Sequence, residues 1–309
     1  MPRQQHGVLV LDKPEGPTST KCLESIKRGL GQKKIGHAGT LDPMARGVLL
    51  VLLGQGTKLA PYLVEGTKTY RGRIRLGVET DTYDRNGEVL AEHPWEHVHP
   101  KDVQDEIESW PNLEEQPVPP FSAAKHKGRP LYALARRGQA VPEKSKAIRI
   151  DQSEVLNVQL PVVAFRVRCS QGTYIRSLAH SLGKRFACGA VLTELVREES
   201  DPFTLSEAVD LDTVLADAAG LSKRVRGLAE ALPHWPKIRL QPDQVKAVRN
   251  GKRLRVDDLT ESGPSREKDR AVFLSDSGAP VALVEAVNVD GEWLWSILRG
   301  FAEQETESD

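Results

Sequence analysis

Apolar positions recur along the chain with two different periods. Short apolar runs, and runs in which apolar and polar residues alternate, predict strands in residues 7–11, 67–76, 162–168, 271–276 and 278–301. Apolar residues at every third or fourth position predict helices in residues 19–30, 58–63, 101–110 and 177–186. Residues 205–232 are typical of a helix-rich region. The sequence therefore predicts a protein that mixes strands and helices throughout.

The length of the chain predicts two units. A single hydrophobic core rarely organises 309 residues, and a new series of alternating runs begins near Pro236. We expect a first domain over residues 1–235 and a small β-barrel over residues 236–301. Residues 302–309 are acidic and are expected to form a disordered tail.

Composition excludes several classes of protein. No apolar run reaches the length of a membrane span, and the N-terminus lacks the apolar stretch of a signal peptide, so we expect a cytoplasmic protein. Cys22, Cys169 and Cys188 are too few and too scattered for a disulfide framework or a zinc site. The three histidines of HPWEHVHP, residues 93–100, lie among prolines and acidic residues, which favours a surface loop over a metal site.

Charges of opposite sign cluster in separate blocks, although the net charge is zero. Residues 1–75 hold 13 basic residues against 5 acidic ones, residues 76–120 hold 2 against 12, and residues 121–150 hold 8 against 1. Two arrangements fit this pattern. Either the basic blocks share one face, which suits a polyanion, or blocks of opposite sign pack together and cancel.

A glycine-rich stretch, KIGHAGTLDPMARGVLL at residues 34–50, contains a single carboxylate, that of Asp42. Glycines let a partner approach the backbone closely, and the apolar run at 48–53 predicts a buried strand or the start of a helix that anchors the loop. Taken alone, an Asp-Pro pair in such a loop is more typical of a turn than of a catalytic site. The rest of the chain changes that balance.

Arg176 lies where the strand at 162–168 continues through SQGTYIR into a predicted helix. A cation near a helix N-terminus is unfavourable unless an anion compensates its charge. We therefore expect Arg176 to pair with a carboxylate.

Residues 116–140, QPVPPFSAAKHKGRPLYALARRGQA, are rich in proline at first and basic afterwards. Basic residues interleaved with aromatic ones suit a segment that contacts RNA phosphates and stacks on exposed bases, and here they are Lys125, Lys127, Arg129, Arg136 and Arg137, with Phe121 and Tyr132. The alternative is a solvated loop that leads into a helix packed on the core. Both descriptions can hold together.

Six motifs, in order along the chain, resemble those of the bacterial tRNA pseudouridine-55 synthases of the TruB type. They are GVLVLDKPEGPTS at 7–19, GHAGTLDPMARGVL at 36–49, Lys68-Thr69-Tyr70, GVETDTYDRNG at 77–87, PPFSAAKHKGRPLYALARRG at 119–138 and SQGTYIRSLAHSLG at 170–183. The resemblance covers residues 7–300, and the C-terminal unit is similar, more weakly, to a PUA-type RNA-binding barrel. Arg46 and Pro117-Val118 depart from the family pattern.

The resemblance implies a fold and a reaction. The fold is α+β, with a mixed, mostly antiparallel sheet and flanking helices (the pseudouridine synthase fold), an RNA-clamping thumb at about 117–147 and a PUA-like β-barrel. The reaction is the isomerisation of uridine to pseudouridine at position 55 in the T loop of tRNA. It implies no cofactor and no metal, which agrees with the lack of a nucleotide-binding motif. The implied partner is the T arm of tRNA, without an obligatory protein partner.

By resemblance, Asp42 is the catalytic carboxylate, which acts on a nucleotide flipped out of the RNA. It can attack the anomeric carbon, stabilise an oxocarbenium-like centre or take a proton from the ribose, and the sequence leaves these roles open. The resemblance places five supporting residues at the active site: Arg176 as partner of Asp42, Tyr70 as stacking residue, Tyr174 and Leu195 as pocket wall, and His37 at the loop. Lys13 and Lys58 join the five basic thumb residues as expected RNA contacts.

Two other functions are compatible with the same scaffold. A non-catalytic RNA-binding or RNA-folding protein would not require Asp42, Tyr70 and Arg176 together. A guide-RNA-dependent synthase would work inside a larger particle. The long basic segment at 119–142 counts against that function, because it resembles the thumb of enzymes that act alone.

Overall fold

A computed structural model describes residues 4–217, 220–259 and 267–303. The helices are α1 (Ser19–Gly29), α2 (Ala60–Glu65), α3 (Pro100–Glu108), α4 (Leu131–Ala135), α5 (Ile175–Arg185), α6 (Leu211–Ala216), α7 (Leu221–Arg224) and α8 (Pro242–Arg249). Within these described residues, no helix is both long and apolar enough to cross a membrane. The predicted acidic tail lies outside the described residues from position 304 onward.

The strands fall into two large sheets and three short pairs. They are β1 (Gly7–Lys13), β2 (Ile35–Ala38), β3 (Arg46–Leu53), β4 (Lys68–Leu76), β5 (Val78–Thr80), β6 (Val89–Glu92), β7 (Glu115–Pro117), β8 (Lys125–His126), β9 (Arg129–Pro130), β10 (Ser145–Ala147), β11 (Ile150–Gln159), β12 (Val162–Cys169), β13 (Ala190–Ser200), β14 (Phe203–Thr204), β15 (Val209–Asp210), β16 (Val225–Arg226), β17 (Lys237–Arg239), β18 (Leu254–Arg255), β19 (Arg270–Leu274), β20 (Pro280–Val289) and β21 (Glu292–Gly300).

Among the described residues, ten strands form the central sheet. Its main path runs β11-β12-β4-β13-β3-β1-β15, with β2 paired to β3, β14 to β13 and β16 to β1. The pairs are antiparallel except for β13 with β3 and β1 with β15, which are parallel. The predicted fold class, α+β with a mixed and mostly antiparallel sheet, is confirmed.

The central strands are apolar on both faces because both faces of the sheet are covered. Along β1 and β3, successive side chains point to opposite sides. Leu9 and Leu49 therefore join the core beneath α1, and Val8 and Leu50 join a second core on the other face. The continuous apolar run of β3, which fitted either a strand or a helix start, is thus a strand buried on both sides.

Five strands, in the order β17-β19-β20-β21-β18, form the second sheet. One side packs around its own core, which includes Phe273 and Trp295. The other side places Val272 and Leu283 in the core shared with the central sheet. The predicted strands at 271–276 and 278–301 are confirmed, whereas the domain boundary at residue 235 remains a prediction.

Lys58 joins the first unit to the end of the second sheet. Its Nζ donates to the Gly300 carbonyl at 2.6 Å and lies 5.6 Å from the centre of the Phe301 ring. Beside it, the Gln55 side chain exchanges two hydrogen bonds with the backbone of Ala302, at 2.8 and 2.7 Å. These contacts attach Lys58 to the second sheet while its side chain stays partly exposed, and its contact with RNA remains a prediction.

Residues 205–232 contain less helix than predicted. Its described residues form the short helices α6 and α7 and a single 3-10 turn at Leu205–Glu207, and its small strands β15 and β16 pair with β1. Asp210 caps α6 through a hydrogen bond from the Thr213 amide at 2.8 Å. The apolar residues of this region lie on short helices and short strands that cover the end of the central sheet. The spacing of apolar residues alone does not distinguish this arrangement from longer helices.

Candidate active site

Asp42 lies in the loop that connects β2 to β3, which are antiparallel neighbours. The hydroxyl of Ser19 holds this loop, because it accepts a hydrogen bond from the Leu41 amide at 3.0 Å and donates one to the Leu41 carbonyl at 3.1 Å. The Pro43 carbonyl accepts a further bond from the Gly16 amide at 2.8 Å. The carboxylate is therefore presented by a loop that is fixed on both sides of Asp42.

Gly47 follows the loop at a position where a side chain does not fit. Its φ is +102°, and a Cβ there would lie 2.3 Å from the carbonyl oxygen of Arg197 on the parallel strand β13. Glycine at this position lets β3 and β13 come together directly behind the Asp42 loop.

Arg176, in the first turn of α5, forms a two-bond ion pair with Asp42. Its Nε donates to Oδ2 at 2.8 Å and its Nη2 to Oδ1 at 3.1 Å. The Arg176 side chain is 6% exposed, whereas that of Asp42 is 36% exposed. The predicted pairing of Arg176 with a carboxylate is observed, and Asp42 keeps one side open for a substrate.

The guanidinium of Arg176 also holds two other segments. Its Nη1 donates to the Thr82 carbonyl at 2.9 Å, and its Nη2 donates to the Phe121 carbonyl at 3.1 Å. Asp84, a carboxylate that is only 8% exposed, lies 3.7 Å from Nε. Asp84 was not singled out from the sequence, although it lies within the motif GVETDTYDRNG.

Tyr70 and Arg197 are paired across β4 and β13, so their side chains lie on the same face of the sheet. Tyr70 is 9% exposed, and its burial raises the pKa of its phenol. Arg197 is 1% exposed and donates to the Val48 carbonyl at 2.6 Å and to the Gly39 carbonyl at 3.0 Å. Arg197 thus joins both ends of the Asp42 loop beside Tyr70, a role that was not predicted.

Lys13 supports the Asp42 loop from the other side. Its side chain is fully buried, and its Nζ donates to the Ala45 carbonyl at 2.7 Å and to the Pro14 carbonyl at 2.8 Å. Burial lowers the pKa of this amine. The structure contradicts the expectation that Lys13 contacts RNA, because its ammonium is buried and bound to the carbonyl groups of Pro14 and of Ala45 in the Asp42 loop.

His37 and Tyr174 lie at the margins of the site. His37, on β2, is half-buried, and its Nδ1 has no hydrogen-bond partner among the described residues. Burial, with a contribution from the nearby charge of Arg197, lowers the pKa of His37. Tyr174 precedes α5, and its amide and carbonyl are both bound by the side chain of Gln116, at 2.5 and 3.1 Å. The start of the thumb segment is thereby attached to the start of the helix that carries Arg176.

Leu195 is 6% exposed on β13 and lines a cavity of about 550 Å³ beside the Asp42 loop, together with Met44 and Arg46. Arg46, one of the departures from the family pattern, is exposed at this cavity. In residues 4–217, 220–259 and 267–303, no three His, Cys, Asp or Glu side chains lie close enough together to hold a metal ion.

The five basic residues predicted to bind RNA in the thumb lie on an exposed hairpin and short helix. The hairpin pairs β8 with β9, and α4 follows directly. Tyr132 is 42% exposed, and the Arg136 guanidinium lies 5.6 Å from the centre of its ring. The five residues are Lys125, Lys127, Arg129, Arg136 and Arg137. Within the part of the chain that the structure describes, none of them forms an ion pair.

Lys68, at the start of β4, is a buried cation like Lys13, Arg176 and Arg197, and it makes stability depend on pH. It is 4% exposed and donates to the carbonyls of Val64 and Gly66. Burial lowers its pKa to about 8 from the ordinary 10.5. Between these values the unfolded chain binds a proton that the folded chain has released, so the cost of burying the charge disappears as the pH rises.

We therefore expect the stability of the wild type relative to Lys68→Met to rise between pH 7 and pH 10. Denaturant unfolding of both proteins at pH 7, 8.5 and 10 measures this difference, because groups that are common to the two proteins cancel. A difference that stays constant or falls with pH would contradict the assignment.

Comparisons with known proteins identify the family. The TruB family pseudouridylate synthase (N terminal domain) matches residues 27–175. The chain is 57% identical over 299 residues to tRNA pseudouridine synthase B of Oleidesulfovibrio alaskensis, covering 96% of each chain. It is 53% identical over 308 residues to tRNA pseudouridine synthase B of Nitratidesulfovibrio vulgaris, covering 98% of this chain and 99% of the relative.

Solved structures share the fold. A Cbf5-Nop10-Gar1 complex contains a chain that is 25% identical with a TM-score of 0.73, where the match covers 96% of this chain and 85% of that one. An H/ACA RNP bound to a substrate RNA containing 2′-deoxyuridine contains one that is 24% identical with a TM-score of 0.70, over 97% and 86%. The similarity to two synthases extends over nearly the full length of the chain and confirms the resemblance seen in the motifs. The chain belongs to the TruB family of pseudouridylate synthases.

Proposed function

We propose that this chain isomerises uridine to pseudouridine at position 55 in the T loop of tRNA, in the cytoplasm and without a protein partner. The observation that carries the proposal is the ion pair of Asp42 and Arg176 at the open side of a braced loop. A protein that only bound RNA would not need a half-exposed carboxylate held in two bonds by a buried arginine. Family membership supplies the substrate class.

The reaction rearranges bonds without gaining or losing atoms overall. The bond from uracil N1 to the ribose C1′ breaks, the uracil turns over, and C5 bonds to C1′. C5 releases its proton and N1 takes one up. Asp42 acts at C1′ or on the neighbouring ribose proton, and Arg176 balances its negative charge in both ground and transition states. Tyr70, the cross-strand neighbour of Arg197, forms the apolar side of the pocket into which the flipped base enters.

The thumb, residues 117–147, is proposed to hold the T arm through its exposed basic residues. The base of the thumb is attached to the active site, since Gln116 binds the backbone of Tyr174 and Arg176 binds the carbonyl of Phe121. The proposed PUA-like domain, residues 236–301, adds exposed basic residues at the end of α8 and after it, namely Lys246, Arg249, Lys252 and Arg253. Together these surfaces offer positive charge to an RNA longer than the loop itself.

Arg136→Glu is expected to weaken tRNA binding about tenfold and to reduce the slope of log affinity against log salt by roughly one or more. Arg136 is exposed and forms no ion pair in the described chain, so its reversal removes attraction to phosphate without disturbing the fold. Filter binding at several salt concentrations measures both quantities. Lys101→Glu, an exposed change in the acidic block 76–120, is the control and is expected to alter neither. Equal behaviour of the two variants would remove the thumb from the RNA interface.

The proposed reaction is tested with the purified chain and tRNA transcripts tritiated at uracil C5. We expect release of one tritium per tRNA from the wild-type transcript. We expect no release from a transcript in which cytidine replaces uridine 55. Binding without release would favour the non-catalytic RNA-binding function. Release that requires an added guide RNA would favour the guide-dependent function.

A further inference from the structure

Two aromatic rings stack directly behind Arg176. The ring of Tyr83 lies parallel to that of His180, with their centres 3.8 Å apart and an angle of 9° between their planes. Tyr83 belongs to the loop at residues 80–87, and His180 belongs to α5. Neither residue was predicted to take part in the site.

The stack lies next to the bonds that hold Arg176. His180 and Arg176 are four residues apart on α5 and therefore share one face of the helix. Tyr83 lies between Thr82, whose carbonyl accepts from Arg176 at 2.9 Å, and Asp84, which lies 3.7 Å from Arg176 Nε. Three consecutive loop residues thus contact two helix residues that are one turn apart.

The backbone of Tyr83 has a conformation that its side chain does not favour. Its φ is +64°, in the left-handed region where residues other than glycine, asparagine and aspartate are uncommon. Such a conformation persists only where the surroundings hold it. The Tyr83 carbonyl accepts from the Leu192 amide at 3.1 Å, and the Thr80 hydroxyl donates to the Asp84 carbonyl at 2.7 Å.

Those two bonds hold the loop to β13 and to itself, but they do not hold it to α5. The contact between the Tyr83 and His180 rings joins this part of the loop to the helix, next to the contacts that Arg176 makes. Burial lowers the pKa of His180 and raises that of Tyr83, so both rings are neutral near pH 7.5. The stack therefore adds contact without adding a second cation beside Arg176.

We propose that Tyr83 and His180 are positioning residues, whose stacked rings keep residues 82–84 against α5 and so fix the guanidinium of Arg176 on Asp42. The inference rests on the proposed catalytic role of Asp42. In this proposal the two rings act through Arg176.

Tyr83→Ala and His180→Ala are each expected to lower the single-turnover rate of tritium release about tenfold and to leave the dissociation constant of tRNA within about twofold. Because the contact is made by the stacked rings, Tyr83→Phe and His180→Phe are expected to retain most of the rate that the alanine variants lose. A change that merely loosened the fold would lower the melting temperature without this separation of rate from binding and without recovery by phenylalanine.

A double-mutant cycle tests whether the stack acts through Arg176. Tyr83→Ala is expected to cost much less in an Arg176→Lys background than in the wild type, because the group it positions is gone. An unchanged rate for Tyr83→Ala beside an active wild type and an inactive Asp42→Asn would overturn the inference alone. A full tenfold loss in the Arg176→Lys background would do the same. If the wild type released no tritium, the proposed function would fail and the inference would fail with it.

Discussion

Asp42→Asn is expected to abolish tritium release, with a loss of about a thousandfold or more in the single-turnover rate. The change keeps the size of the side chain and one acceptor for Arg176, so the loop and its bonds to Ser19 persist. It removes the negative charge that every proposed role requires, whether attack on C1′, stabilisation of a cationic centre or removal of a ribose proton. The measurement is single-turnover release from tRNA labelled at uracil C5.

The matched control is Asp212→Asn. Asp212 is an exposed carboxylate on the neighbouring cavity and does not contact Arg176, and its variant is expected to react at the wild-type rate. Filter binding should show similar tRNA affinity for all three proteins. Release by Asp42→Asn at a rate near that of the wild type would assign the chemistry to another carboxylate, and Asp84 would then be the first to test because it also lies beside Arg176.

The parts of the fold that could be predicted are those whose apolar pattern reports burial. Strands β1, β4 and β12 carry alternating or continuous apolar runs, and each was predicted within two residues of its observed bounds. The run of β3 predicted either a buried strand or the start of a helix. Strand β11, Ile150–Gln159, was not predicted. It ends the main path of the central sheet, and its sequence IDQSEVLNVQ carries polar residues on both faces. An edge strand that buries little has no periodic signal to detect.

The candidate site could be predicted as far as its motifs reach. Asp42 stood out through the family motifs, and Arg176 stood out because a cation at a helix start needs an anion. The structure brings the two side chains together. The contacts of Lys13 and Arg197 could not be predicted from the motifs. Both are buried cations bound to carbonyl groups of the Asp42 loop. A buried lysine and an RNA-binding lysine look alike in a sequence, because the carbonyls that receive the charge come from distant segments.

Arg176→Lys is the second large effect that we expect, with a fall of about a hundredfold in the single-turnover rate. Lysine keeps the positive charge, but its single ammonium cannot reproduce a planar group that binds both Asp42 oxygens and the carbonyls of Thr82 and Phe121. The Arg176 side chain joins the Asp42 loop, the 80–87 loop and the base of the thumb. Its replacement is therefore expected both to misplace Asp42 and to loosen the attachment of the thumb. Both the rate and the tRNA affinity should therefore fall, unlike the result for Asp42→Asn.

Arg185→Lys is the control for this change, since Arg185 lies on the same helix with a side chain that is 70% exposed and pairs with Glu106 at 3.4 Å. Exposed ion pairs contribute little to stability, so this variant is expected to match the wild type. If Arg176→Lys retained the full rate, charge alone would suffice beside Asp42. The geometry of the guanidinium, and with it the joining of the three segments, would then have no part in catalysis.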